Sequence, residues 1–264
     1  MNNKKLYIVK IGGNVVDDAE KLQKFLADFA SIKDKKILVH GGGKIATQLA
    51  EKLGIEVKMI NGRRITDAKT LDVTVMVYAG LANKNIVAKL QALHCNAIGL
   101  SGADASIITA HKRANAEIDY GFVGDIDQVN TTILQNLINS GFTPVMAPIT
   151  HNGKGQLLNT NADTIAAKLA TSFANTYQVQ LVYCFEKYGV LRNVEDRTSV
   201  IPRIDEKYRV ELEAKGIIAK GMLPKINNAF EAINNGVNSV VIGHSKSVLD
   251  LINPDTNAGT TISK

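Results

Sequence analysis

The sequence predicts an α/β protein: a three-layer αβα sandwich around a central, mainly parallel sheet, divided into two lobes. Three observations point there. Short runs rich in β-branched residues alternate along the chain with stretches of helical periodicity. Glycine clusters follow directly on several of the apolar runs, at the strand-to-helix turns where such sheets bind ligands. At 264 residues, the chain can bury a large core as one big domain or as two lobes of one fold.

The first strand is Tyr7-Ile8-Val9-Lys10-Ile11, ending in Gly12-Gly13. Adjacent glycines let backbone N–H groups approach an anion, and Lys10 adds a full positive charge. The same residues would also suit an ordinary turn with a solvated lysine; three further stretches asking for the same anion favour the site. Leu22, Phe25, Leu26 and Phe29 recur at helical spacing, predicting a helix over about 18–31. Lys36–Val39 is a second strand and runs into His40-Gly41-Gly42-Gly43, where three glycines permit conformations closed to other residues. The following helix, about 44–53, points its positive end at the same place.

Ile55–Ile60 reads as a β segment ending in the hairpin signal Asn61-Gly62. Arg63 and Arg64 then precede a long helix over 67–93, capped by Thr66 or Asp67 and interrupted near Gly80. Beside glycine-lined anion sites, one of the two guanidiniums can clamp a carboxylate bidentately. Ala97–Leu100 is a third buried strand. Residues 107–112 and 118–123 form an antiparallel excursion, 131–140 a helix, and 143–147 a central strand. The chain divides near Pro148–Gly153, giving lobes 1–149 and 150–264.

In the second half, Asn159 and Asn161 alternate along an extended segment and so face the same way. Asp163 reads either as the N-cap of the helix over 164–174 or as a site carboxylate. Residues 180–183 form a strand, and Gly189-Val190-Leu191 turns into another. Ile217–Lys220 lead into Gly221-Met222-Leu223-Pro224-Lys225, where Pro224 opens a helix and puts Lys225 against its dipole. An anion nearby would explain that lysine. Ser239–Ile242 is the last core strand.

Composition narrows the function classes. The chain is 45% hydrophobic and 21% charged, with a net charge of +6 and a pI near 9.1. Its basic residues are dispersed with little aromatic interleaving, which argues against nucleic acid as partner. Cys95 and Cys184 lack metal-ligand spacing and read as buried free thiols. The first strand begins almost at once, leaving no room for a signal peptide, and no apolar run approaches the roughly 18 residues of a membrane span. A cytoplasmic protein is expected. Gly12-Gly13 is not the dinucleotide fingerprint of an oxidoreductase, and no P-loop signature is present.

Five motifs in order, Lys10–Gly13, His40–Gly43, Asn61–Thr66, Asn159–Asp163 and Gly221–Lys225, resemble the amino acid kinase family along the full length, and within it the members that phosphorylate acylated glutamate. The resemblance implies ATP and Mg²⁺ as cofactors. It implies transfer of phosphate to the γ-carboxylate of N-acetyl-L-glutamate, the second step of arginine or ornithine synthesis. It makes Lys10 and Lys225 the neutralisers of the transferring group, with Asp163 orienting both. Gly12, Gly13 and Gly43 become phosphate-binding residues, and Gly42, Gly43, Arg64, Asn159 and Asn161 the acylglutamate site. On the nucleotide side it implicates Glu186, Gly189, Lys220 and Gly221. The N-terminal lobe would hold the acylglutamate and the dimer contact, the C-terminal lobe ATP. No residue is assigned to a metal.

Some positions depart from the family pattern. Phe185-Glu186-Lys187-Tyr188 alters the adenine-side wall, and Ala103 stands where many members carry lysine. Arg63 replaces an apolar residue and could accept a longer, more anionic acyl group, so N-succinyl-L-glutamate is an alternative substrate. With nine residues before Lys10, the extra N-terminal helix of arginine-inhibited hexameric members is missing, which predicts an arginine-insensitive homodimer. A non-catalytic arginine or nucleotide sensor of the same fold is the competing class; retention of Lys10, Lys225 and Asp163 speaks against it. His94, His111, His151 and His244 receive no role.

Overall fold

Strand β1 (Lys5–Ile11) runs through the middle of the molecule, and its composition follows from being covered on both faces. This is a computed structural model of the chain; it describes residues 4–60, 63–114, 117–193, 195–218 and 222–264, without the side chains of 224 and 247. Leu6 and Ile8 pack into one core with Ile165, Leu169 and Phe173. Tyr7, Val9 and Ile11 point the other way and pack with Phe25, Leu26 and Phe29. The alternation of one strand between two cores makes the three layers.

β1 pairs in parallel with β2 (Lys35–His40) on one side, followed by β8 (Thr143–Met146) and the edge strand β5 (Ala97–Leu100). On its other side lie β11 (Gln178–Phe185), β13 (Ser239–His244), β14 (Thr260–Ile262) and β12 (Arg203–Ile204). Within this eight-stranded sheet, only the β13–β14 pair is antiparallel. The first half of the chain supplies one side of the sheet and the second half the other, and the seam between them is β1 against β11.

One helical layer contains α2 (Ala19–Ser31) and α5 (Asn83–Ala92); the other contains α7 (Ala162–Phe173) and α9 (Leu223–Asn234). Asp18 caps α2 by accepting from the backbone of Glu20 and Lys21, and Asp67 caps α4 (Ala68–Val75) through Thr70 N–H. The long helix is not broken at Gly80. Instead α4 widens into a π-helical stretch, Met76–Ala82, and continues as α5. Such widening re-aims side chains and is frequent at functional sites; here Tyr78 lies in it.

Three expectations are corrected. The partner of β6 (Ile108–Lys112) is β7 (Gly124–Val129), not 118–123. Residues 118–123 form only isolated bridges, Gly121 to Thr66 and Val123 to Asn159. Gly121 has φ +70°, and a Cβ there would lie 2.1 Å from the Thr66 carbonyl oxygen, so the segment clasps Thr66 rather than extending a ladder. The β segment at 55–60 shrinks to β3 (Met59–Ile60), which pairs with β4 (Arg63–Arg64); the turn Asn61-Gly62 lies outside the described residues. β8 is one strand from the edge rather than central. A division at 149/150 falls inside β9 (Ile149–His151), which pairs with β6 and with β10 (Leu157–Asn159).

Candidate active site

Because β1 and β2 are neighbours, the turns that follow them meet. Gly12 caps the short α1 (Gly13–Val16), and Gly42 caps α3 (Gly43–Lys52); neither glycine has a side chain to satisfy the first N–H groups. A Cβ on Gly41 would lie 3.4 Å from Gly13 N, and one on Gly13 3.8 Å from Gly43 N. None of the three glycines has left-handed backbone; Gly42 has φ 165°. The requirement is space. A Cβ on Gly42 would lie 3.0 Å from the Tyr78 ring.

His40 braces this turn from beneath. It is fully buried; Nδ1–H donates to Gly41 O at 2.8 Å, and Nε2 accepts from Asn83 Nδ2 at 3.1 Å. Asn83 also donates to Val145 O at 3.0 Å. Burial pushes the His40 pKa down from 6.5 to about 4. Between those values the unfolded chain binds a proton that the folded chain refuses, so stability falls as pH drops from 6.5 to 4. The expected loss is up to roughly 3 kcal/mol. Urea unfolding at pH 7.5 and 4.5 should show it, and His40→Gln should flatten the difference; an equally steep variant would reassign the effect.

Asp163 is not the N-cap of α7. Asn161 is: its Oδ1 accepts from Asp163 N at 2.8 Å and Thr164 N at 3.1 Å. This frees the Asp163 carboxylate, which takes Lys10 Nζ at 2.7 Å on one oxygen and Lys225 Nζ on the other. Burial would raise the Asp163 pKa, but the two ammoniums prevail and hold it at about 2. Lys225 stands in the first turn of α9, and the anion answering it here is Asp163. The β1–β11 register puts Lys10 beside Tyr183, whose hydroxyl donates to Asp163 O at 3.1 Å; the Lys225 ammonium sits 5.8 Å from the Tyr183 ring. Two lysines and one carboxylate leave a net positive charge at the cluster.

Two cavities are lined by chain neighbours of this cluster, Ala162 and Thr164 in the first and Gly12 in the second; Lys10, Asp163 and Lys225 themselves line neither. The first is lined by Gly42, Gly43, Arg64, Tyr78, Asn159 and Asn161, among others. The second is lined by Gly12, Gly13, Asn14, Gly43, Lys44 and Glu186, with Val15 and Phe185. Gly43 borders both. A Cβ on Gly12, which lines the second, would lie 4.0 Å from Lys10 Nζ. Arg64 is buried; its Nη2 donates to Gly43 O and Thr47 Oγ1, both at 2.8 Å, while Nη1 has no acceptor among the described residues. Asn159 Nδ2 donates to Thr66 Oγ1 at 3.1 Å.

The nucleotide-side expectations fare unevenly. Glu186 is exposed at the second cavity, whereas Gly189 is buried, lines neither cavity, and packs where a Cβ would meet Thr260 Oγ1 at 2.7 Å. Lys220 and Gly221 lie outside the described residues. Sequence reasoning missed Tyr78, the His40–Asn83 brace, and Arg113 with Asp125, all of which face or support the first cavity.

The profile described as Amino acid kinase family matches residues 5–244. A protein of Cytophaga hutchinsonii named acetylglutamate kinase is 55% identical, over 98% of each chain. Its namesake from Bacteroides fragilis is 52% identical, over 98% of this chain and 97% of its own. Among solved structures, smu.665 from Streptococcus mutans superposes with a TM-score of 0.79 at 26% identity, covering 98% of both chains.

Proposed function

The chain belongs to the amino acid kinase family, and from that premise we propose that its two cavities hold the two reactants of an acyl phosphate synthesis. It transfers the γ-phosphoryl group of ATP to the γ-carboxylate of N-acetyl-L-glutamate, giving N-acetyl-L-glutamyl 5-phosphate, a step of arginine biosynthesis. The observation that carries the reading is Gly43, which borders both cavities, taken together with the Lys10–Asp163–Lys225 cluster.

The acceptor carboxylate is already ionised, so no general base is needed; the obstacle is bringing two anions together. Catalysis is therefore positioning and charge neutralisation. In this reading the acylglutamate occupies the first cavity, with Arg64 on its α-carboxylate and Asn159 and Asn161 along its length. The ATP phosphates occupy the second, against the backbone N–H groups of Gly12, Gly13 and Gly43. Lys10 and Lys225 neutralise the phosphoryl group from two sides. Asp163, with both oxygens taken by lysines, is a positioning residue and not a base. Glu186, Lys220 and Gly221 belong to the nucleotide side; the packing of Gly189 gives it a structural role instead.

No cluster of three or more His, Cys, Asp or Glu suited to a metal occurs among the described residues. Mg²⁺ enters as part of the substrate, carried on the ATP phosphates. In a division into 1–149 and 150–264, the first lobe carries most of the acylglutamate site, to which the second adds Asn159 and Asn161, and the second carries the nucleotide-side residues Glu186, Lys220 and Gly221. Exposed Met76 and Leu81, on the π-helical stretch, support a homodimer built on that face. Buried free Cys95 and Cys184 suit the reducing cytoplasm, and no helix among the described residues is long and apolar enough to cross a membrane.

Acyl hydroxamate formation, measured with ATP, hydroxylamine and each of N-acetyl-L-glutamate, N-succinyl-L-glutamate and L-glutamate, tests the reading. The acetyl compound is expected to be turned over fastest. A larger rate with the succinyl compound would keep the mechanism and change the substrate; no hydroxamate from any would restore the sensor.

A further inference from the structure

Arg113 lies one residue beyond β6, diagonal to Asp125 on β7, whose register partner is His111, and both Arg113 and Asp125 line the first cavity. Its Nε donates to the two Asp125 oxygens at 3.1 and 3.0 Å, and its Nη2 donates to Oδ1. The guanidinium also lies 5.7 Å from the Tyr120 ring. Only 16% of the side chain is exposed, and Nη1 is shut from solvent with no acceptor among the described residues. A buried cationic donor left unpaired is costly, so a built site of this kind asks for an oxygen from the cavity.

Three guanidiniums line the cavity; Arg63 is exposed, whereas Arg64 and Arg113 each keep one covered, idle nitrogen and differ in charge balance. Arg64 is bonded only to a carbonyl and a hydroxyl, so its positive charge is uncompensated. Arg113 is already neutralised by Asp125. A carboxylate therefore belongs on Arg64, while at Arg113 it would meet the Asp125 charge as well. A neutral carbonyl oxygen meets no such opposition.

We propose that Arg113 is a specificity-determining residue whose Nη1 donates to the acyl oxygen of the N-acylated substrate, held in place by Asp125. The inference rests on the acylglutamate reading of this cavity and adds what distinguishes the acylated from the free amino acid. The Arg113–Asp125 pair is presented by the β6–β7 hairpin, outside the five motifs.

The test is a cycle between protein and ligand. Binding and turnover of N-acetyl-L-glutamate are compared with those of N-thioacetyl-L-glutamate, whose sulphur is a weak acceptor, in wild type and Arg113→Met. Wild type should prefer the oxygen compound by roughly tenfold or more in KM, and the variant by less than about twofold, with kcat for the oxygen compound changed little. Arg113→Lys keeps the charge beside Asp125 but loses the fork; it should behave like Arg113→Met and guards against a folding failure. Equal discrimination in wild type and variants would overturn the proposal. So would a selective loss of N-succinyl-L-glutamate, which would assign Arg113 to a carboxylate. A wild-type protein binding neither ligand would overturn the acylglutamate function itself, a result distinct from discrimination that survives mutation.

Discussion

Lys10→Ala is expected to lower kcat by about a thousandfold while leaving the KM for N-acetyl-L-glutamate within a few-fold of wild type. Lys10 touches Asp163 at 2.7 Å and stands beside Gly12 at the second cavity, away from the Arg64 end of the first. Its charge is therefore used where negative charge accumulates during transfer, a type of contribution worth several kcal/mol. Lys225→Ala should act in the same direction. The double variant should lose less than the product of the two single losses, because both lysines hang on one carboxylate. Steady-state kinetics with saturating ATP measures this. A proportionate rise in KM with unchanged kcat would make Lys10 a substrate-binding residue.

Arg64→Ala should show the opposite split, with KM for the acylglutamate raised roughly 30-fold or more and kcat much less affected. The buried guanidinium makes two hydrogen bonds to the α3 start and holds one nitrogen in reserve. Truncation removes the arginine charge assigned to the α-carboxylate. Because Nη2 also ties Gly43 to Thr47, Arg64→Lys should recover the charge but not the bidentate geometry, and so recover affinity only in part. Kinetic constants for the two variants decide it; an unchanged KM in Arg64→Ala would remove this residue from the site.

The parts of the site legible in the sequence are those where chemistry sits on a strand end. Lys10 with Gly12-Gly13, and His40 with its three glycines, stand out because a buried parallel strand must stop there and the helix N-terminus must begin. The run Asn159-Thr160-Asn161-Ala162-Asp163 could not be resolved that way. Asn161 and Asp163 are both good caps, and only the position of Lys10 and Lys225 in space decides that the asparagine caps and the aspartate bridges. Arg113 and Asp125 stayed hidden for another reason. They face each other across a hairpin whose register shifts between Thr109 and Ala110, and a shift of one residue reverses which side chains share a face. The first helical layer was readable from Leu22, Phe25, Leu26 and Phe29. The short elements beyond β11 were not: α8 (Glu206–Ala214) buries Leu212 alone, leaving too few apolar residues to display a period. Tyr78 reaches Gly42 from a π-helical stretch, a geometry that ordinary helical spacing does not reveal.

A crystal structure with N-acetyl-L-glutamate, MgADP and aluminium fluoride would show where the phosphoryl group is transferred. The planar fluoride stands in for the phosphoryl group in flight. The fluoride is expected at Gly43, between the two cavities, with Lys10 and Lys225 in hydrogen-bond contact and Asp163 bonded only to the lysines. A fluoride bound away from Gly43, or an Asp163 carboxylate turned onto the acceptor, would contradict it.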